Sequence, residues 1–154
     1  MPWNYKPWGC GSGSKGSCNN GWIQFEVCED ALTDPLYAEA AFEEACQLTA
    51  YLCKKYDINP NGTVNFNGVK VPTILCHWDS YKLNLGSGHN DIYNWFPKVI
   101  NKDMNDVRKR VDELLADDQK EEEEMTQEKF NELMNNYLAE LAKEPADEWS
   151  REAR

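Results

Sequence analysis

Only two histidines occur in the chain, and both fall in one stretch from Ile74 to Pro97. His77 follows a short apolar run, Val71-Pro72-Thr73-Ile74-Leu75-Cys76. His89 and Asp91 come next, after a loop containing Gly86, Ser87 and Gly88 that lets the backbone fold back. An imidazole followed by a carboxylate on a returning loop is a zinc half-site in residue type. The same residues read equally well as one partly buried histidine and one exposed loop histidine. A further carboxylate, Glu26, sits in an alternating stretch, where it has the pattern of an ordinary solvated residue.

The elements that must position these side chains follow from periodicity. The run ending at Cys76 reads as a buried strand, with His77 at its rigid end. Trp22 to Cys28 alternates and reads as a second strand, with Ile23, Phe25 and Val27 on the core face and Glu26 on the other. Asp34-Pro35 opens a helix, capped by Asp34 or Thr33. Its apolar positions, Ala38, Ala41, Phe42, Ala45, Leu48, Leu52 and Tyr56, recur at steps of three and four. The helix ends near Tyr56, ahead of the turn cluster Asn59-Pro60-Asn61-Gly62. Thr63 to Val69 reads as a small hairpin about Asn67-Gly68. Asn101 or Asp103 starts another helix, with Met104, Val107, Val111, Leu114 and Leu115 inward. Residues 117–125 read as an acidic linker whose like charges repel. Thr126 caps a helix from Gln127 to about Ala142, carrying the stripe Phe130, Leu133, Met134, Tyr137, Leu138 and Leu141.

Three blocks near the histidines, Cys76-His77, Gly88-His89-Asn90-Asp91 and Trp95-Phe96-Pro97, resemble the second half of the zinc-dependent N-acetylmuramoyl-L-alanine amidases of the amidase-2 family. That family is related to the peptidoglycan recognition proteins. Earlier blocks carry the same resemblance: Pro7-Trp8-Gly9-Cys10-Gly11, Gly16-Ser17-Cys18-Asn19-Asn20 and Trp22 to Asp30. The likeness covers roughly residues 7 to 115 and is similar to forms found in clostridial bacteria and their prophages. It implies an α/β fold with a mixed central sheet flanked by helices. The implied domain is 1–116, followed by the linker 117–125 and a helical segment 126–154 that either docks on the domain, pairs with another copy or opens a wall-binding module.

The resemblance also implies roles. His77 and Asp91 match zinc ligands, Glu26 the acidic residue on the central strand, and His89 a position that assists catalysis. Trp8, Asn20 and Trp95 fall at positions implied to bind substrate. The implied cofactor is Zn2+. The implied reaction is hydrolysis of the amide between N-acetylmuramic acid and L-alanine, as in an endolysin or autolysin. One departure stands out. The family's first zinc histidine lies on a strand upstream of the Trp-Gly-Cys block, and this chain has no third histidine. The sequence is therefore expected to lack that first strand and ligand, and a non-catalytic muropeptide-binding relative is the alternative.

Composition narrows the partners. The formal net charge is -11. Residues 112–154 hold 15 acids and 5 bases, so the tail carries most of it. Nucleic acid, whose phosphates need Lys and Arg, is a poor match, and an anionic membrane surface offers no attraction. No apolar run approaches the roughly 18 residues of a spanning helix, and the start does not read as a signal peptide. Peptidoglycan or a muropeptide is the implied partner and the bacterial cell wall the implied place of action, reached by secretion or phage release. An exposed sheet edge or the C-terminal helix would support homo-oligomers.

Six cysteines are present and none forms a CxxC pair. Buried free thiols in a protein made in a reducing cytoplasm are the expectation. Cys10 and Cys18 would close a loop if oxidised. Residues 1–21 read as a Gly-, Ser- and Asn-rich loop whose aromatics Trp3, Tyr5 and Trp8 either stack on sugar faces or cover the core edge. Residues 149–154 resemble the opening of a wall-associated repeat.

Overall fold

The structure, a computed structural model, describes residues 8–141. Trp3, Tyr5 and the segment 149–154 lie outside the described residues. The chain divides into two units, Met1–Leu115 and Ala116–Arg154.

In the first unit, α1 runs over Pro35–Tyr56. Asp34 caps it by accepting from the amides of Leu36 and Tyr37, and Pro35 takes the first position, where a missing N–H costs nothing. Asp57, in the left-handed region, ends it by donating its amide to the Cys53 carbonyl. The buried face is Ala38, Phe42, Cys46, Ala50 and Cys53. It drifts away from the expected Leu48 and Tyr56, which are exposed. The cysteines thus serve as small apolar residues in the core.

The hairpin forms as its turn chemistry dictates. β1, Thr63–Phe66, pairs antiparallel with β2, Val69–Pro72, and the turn residues Asn67 and Gly68 have φ of 50° and 74°. Positive φ at both central positions gives the twist that strands of a tight hairpin need. This hairpin is the one sheet among the described residues. The fold is therefore α/β as expected, with its described strands confined to two.

Three expectations are corrected. Trp22 to Cys28 belongs to no strand: among the described residues it has no backbone–backbone hydrogen bond, and its Cys28 carbonyl accepts from the Tyr37 hydroxyl instead. Its facing is inverted at the first half only: Ile23 and Phe25 are exposed while Trp22 packs edge-on against Phe66 and Gln24 turns inward, but Val27 packs on the main core as expected. Gln24 fastens the segment by accepting from the Gly9 amide and donating to the Cys18 carbonyl. Side-chain anchoring has replaced ladder pairing. Second, the strand before His77 stops at Pro72, and His77 is the first residue of a short helix, α2, His77–Lys82. Third, the acidic stretch is helical.

A 3-10 turn, Asp91–Asn94, and a short helix, α3, Phe96–Val99, lead to α4, Met104–Leu141. Asp103 caps α4: its carboxylate accepts from Asn105 and Asp106, while Asp106 accepts from the Asp103 amide. Met104, Val107 and Val111 bury against α1, Trp95 and Phe96 in the main core. Trp95 and Phe96 are the largest side chains there, and truncating such a residue costs about 3–5 kcal/mol. A smaller cluster holds Cys10, Cys18, Val71 and Leu85.

The described part of the second unit is the remainder of α4. Glu, Lys, Gln and Ala are strong helix formers, and a like-charge neighbour costs only about 0.2–0.5 kcal/mol per pair. Propensity therefore outweighs repulsion through 117–125, helped by pairs such as Lys120 with Asp117. Phe130, Leu133, Met134, Tyr137 and Leu138 all stand exposed.

Candidate active site

α2 brings His77 to the site by its N-terminus. Cys76 occupies the cap position, and burial pushes its thiol up to about 11, with Asp79 adding to the effect. Arg108 of α4 braces this start. Its guanidinium donates twice to the Ile74 carbonyl, at 3.0 and 2.8 Å, and once to Asp79 at 3.3 Å. Both partners of the ion pair are largely buried, so one helix is tied to the other at the turn that carries His77.

Loop 83–90 then folds back onto residues 10–18. Lys15 and Cys18 donate their amides to the Asn84 and Leu85 carbonyls, and Ser87 donates to the Cys10 carbonyl at 2.7 Å. The approach is too close for a side chain at Gly86, where a Cβ would fall 2.8 Å from the Cys10 oxygen and 2.1 Å from Ser80 Oγ. This packing seats Ser87 against His77.

Here the site's polarity is set. Ser87 Oγ donates to the Cys10 carbonyl at 3.3 Å and lies 3.1 Å from His77 Nε2. When the hydroxyl proton is directed at Cys10, its oxygen can accept from Nε2–H. In that tautomer Nδ1 presents its lone pair on the other side. Asp91 Oδ2 lies 3.1 Å from that Nδ1. Two acceptors at this distance repel unless a proton or a cation is shared between them. His89 stacks on the outer face of His77, with ring centroids 4.9 Å apart and 27° between planes. Its Nδ1 is 4.0 Å from Asp91 Oδ1.

The structure therefore brings His77, His89 and Asp91 together. Glu26 and Trp95, with His77 and Asp91, line one cavity of about 1160 Å³ whose walls are largely apolar. Glu26 is exposed on the segment Trp22 to Cys28. Trp95 is core rather than surface, 1% exposed, stacked on Tyr37, and its indole Nε1 has no partner among the described residues. Trp8 is 77% exposed, and Asn20 is exposed in the turn that follows Ser17. Ser87 was legible only as one residue of a Gly-Ser-Gly loop. Its role as the partner of His77 depends on the contact with Cys10, which no local pattern announces.

The N-acetylmuramoyl-L-alanine amidase family model, Amidase_2, matches residues 1–95. The chain belongs to the N-acetylmuramoyl-L-alanine amidase family. The matched span ends at Trp95 and contains Glu26, His77, Ser87, His89 and Asp91, while the bracing Arg108 lies beyond it. Membership carries peptidoglycan amidase activity as the general chemistry and peptidoglycan as the substrate. No curated protein and no solved structure matches the chain. No helix among the described residues is long and apolar enough to cross a membrane.

A zinc ion fits part of this amidase site. Two ligands on a tetrahedral zinc with bonds of about 2.0–2.1 Å stand about 3.3 Å apart, close to the 3.1 Å between His77 Nδ1 and Asp91 Oδ2. The pair fits two corners of a zinc site. Among the described residues, no group of three or more His, Cys, Asp or Glu side chains is arranged to hold a metal ion.

Proposed function

We propose that this amidase cleaves the bond between N-acetylmuramic acid and the L-alanine of the stem peptide with zinc-activated water, acting at the bacterial cell wall as an endolysin or autolysin. The observation that carries the reading is the 3.1 Å approach of His77 Nδ1 to Asp91 Oδ2, with Ser87 on the far nitrogen. His77 and Asp91 would hold the metal. A zinc ion held there would supply an acidified water, with a pKa towards about 7, and a Lewis acid for the scissile carbonyl.

The chain's own groups have distinct tasks. Ser87 keeps the His77 lone pair turned toward the site. Glu26, on the cavity wall, takes the proton of the attacking water and returns it to the L-alanine nitrogen as the bond breaks. His89 donates an N–H to the carbonyl oxygen as it becomes negative, a contribution of about 3–4 kcal/mol for a well-placed donor. Trp8 offers an exposed ring face to a sugar, Asn20 an exposed polar side chain, and the unpartnered Trp95 N–H a donor in the cavity wall.

A second reading is a protein that binds muropeptide without cutting it. One observation favours it: His77 and Asp91 are joined by no third donor arranged for a metal among the described residues. One experiment separates the two. Purified full chain is mixed with defined muropeptide, with and without added zinc, and free stem peptide is followed by mass spectrometry beside binding by calorimetry. Zinc-dependent release that is lost in His77→Ala supports the hydrolase. Binding without release supports the second reading, and neither binding nor release overturns both.

A further inference from the structure

Outside the histidine cluster, one pair of side chains is placed for chemistry that the amidase reaction does not use. Cys10 and Cys18 are both buried in the smaller core cluster and both line the cavity wall. The two residues converge on one atom: Cys18 donates its amide to the Leu85 carbonyl at 2.9 Å, and Cys10 Sγ lies 4.0 Å from the same oxygen. The chain on either side is clamped together. Asn19 Oδ1 accepts from the Cys10 amide at 3.0 Å, Asn19 Nδ2 donates to the Gly11 carbonyl at 3.0 Å, and Ser17 Oγ donates to that carbonyl as well. The intervening loop doubles back through paired bonds between Gly13 and Gly16. Opposed backbones held in this way are what a disulfide needs, with Cα atoms about 4–7 Å apart.

We propose that Cys10 and Cys18 are a redox-active thiol pair that closes to a disulfide in the presence of a small disulfide oxidant such as oxidised glutathione. One thiolate attacks the glutathione disulfide and releases one glutathione. The second displaces the other glutathione, so the protein loses two S–H bonds and gains one S–S bond while the oxidant is reduced to two thiols. Burial, with a smaller contribution from the neighbouring Cys10, raises the Cys18 thiol to about 11. The other cysteines lack this arrangement. Cys46 and Cys53 lie about 10 Å apart along α1, too far for a bridge within one helix, and Cys28 is exposed.

Closure bears on the site through a short path. The Cys10 carbonyl receives the Ser87 amide and hydroxyl, and Ser87 meets His77. A bridge fixes the loop that seats Ser87, and it shortens the freedom of the unfolded chain.

The test uses full-length protein carrying Cys28→Ser, which removes the exposed thiol, in glutathione buffers from reducing to oxidising. Free thiols are trapped with N-ethylmaleimide and counted by mass spectrometry. Oxidation is expected to remove two labels and the mass of two hydrogens. Trypsin cuts after Lys15 and endoproteinase Glu-C after Glu26, so a Cys10–Cys18 bridge holds the peptide ending at Lys15 and the peptide 16–26 together, apart from Cys46 and Cys53. Slower hydrogen exchange at the Ser87 amide and a Tm rise of several degrees should accompany it. Cys18→Ala in the same buffers should show no label loss and no Tm rise. If that variant does not fold, the peptide map of its parent decides alone. Full labelling at every buffer ratio overturns the proposal, as do a bridge between other cysteines and a stable mixed disulfide at either residue.

Discussion

Ser87 Oγ lies 3.1 Å from His77 Nε2, on the side of the imidazole away from Asp91. The hydroxyl is itself held by the Cys10 carbonyl, so the ring's two nitrogens have separate duties: one anchors, one faces the carboxylate. Ser87→Ala removes the anchor and leaves the ligand pair in place. Partners of this kind typically account for 10–100-fold in metal affinity. Zinc affinity, measured by competition with a chromophoric chelator, should fall by about tenfold or more, and Ser87→Thr should restore much of it. Equal affinity in Ser87→Ala would show that the hydroxyl does not orient the ring.

Glu26 is an exposed carboxylate beside the cavity, so its loss should barely touch the fold, within about 0.5 kcal/mol. In Glu26→Gln, muropeptide turnover should drop by about two orders of magnitude or more. Zinc binding should be unchanged, because Glu26 is assigned no ligand role. Wild-type turnover in purified Glu26→Gln would return the residue to an ordinary solvated glutamate.

Arg108 ties α4 to the start of α2 through the Ile74 carbonyl and Asp79. Arg108→Met leaves a largely buried carboxylate without its cation. Leaving such a partner unpaired costs about 3–5 kcal/mol in a fully buried pair. With some solvent reaching this one and Lys82 still beside Asp79, about 1–3 kcal/mol is expected, read as a Tm loss of several degrees. Asp79→Asn should lose less, since it keeps a hydrogen-bonding oxygen. A Tm equal to wild type in Arg108→Met would show that the brace is idle.

Glu43 should make stability depend on acid. Arg110 donates to its two oxygens at 2.9 and 2.8 Å and holds its carboxyl down to about 2 from the usual 4.5. A depressed folded pKa means that the unfolded chain takes up the proton first. The stabilisation is therefore complete above about pH 4.5 and disappears as pH falls towards 2. The side chains are 33% and 35% exposed, so water screens the pair and the effect is modest. Calorimetry should show a Tm decline across that window that is shallower in Glu43→Gln. Parallel declines in the two proteins would remove Glu43 from the account.

The exposed stripe from Phe130 to Leu138 is expected to support self-association. Light scattering over a dilution series should give a mass that rises with concentration in the full chain and stays monomeric in a chain ending at Ala116. Two monomeric proteins would show that the stripe does not pair copies of the chain.

Local chemistry was enough for α1, the hairpin and the start of α4. Asp34-Pro35, Asn67-Gly68 and Asp103 act on backbone groups within a few residues, so their effect is written in the chain itself. The histidine and carboxylate set was also legible, since residue type and order limit what such groups can do. Tertiary structure decided the rest. Alternation alone could not make a strand of Trp22 to Cys28, because a strand needs a neighbour's donors and acceptors, and Gln24 supplied side-chain anchors instead. The turn that starts the helix at His77 is braced by Arg108, distant in sequence, which holds the Ile74 carbonyl. Ser87 gained its place only when loop 83–90 met the Cys10 carbonyl. Each of these turns on which groups from distant parts of the chain satisfy one another once folded, and no local window contains that information.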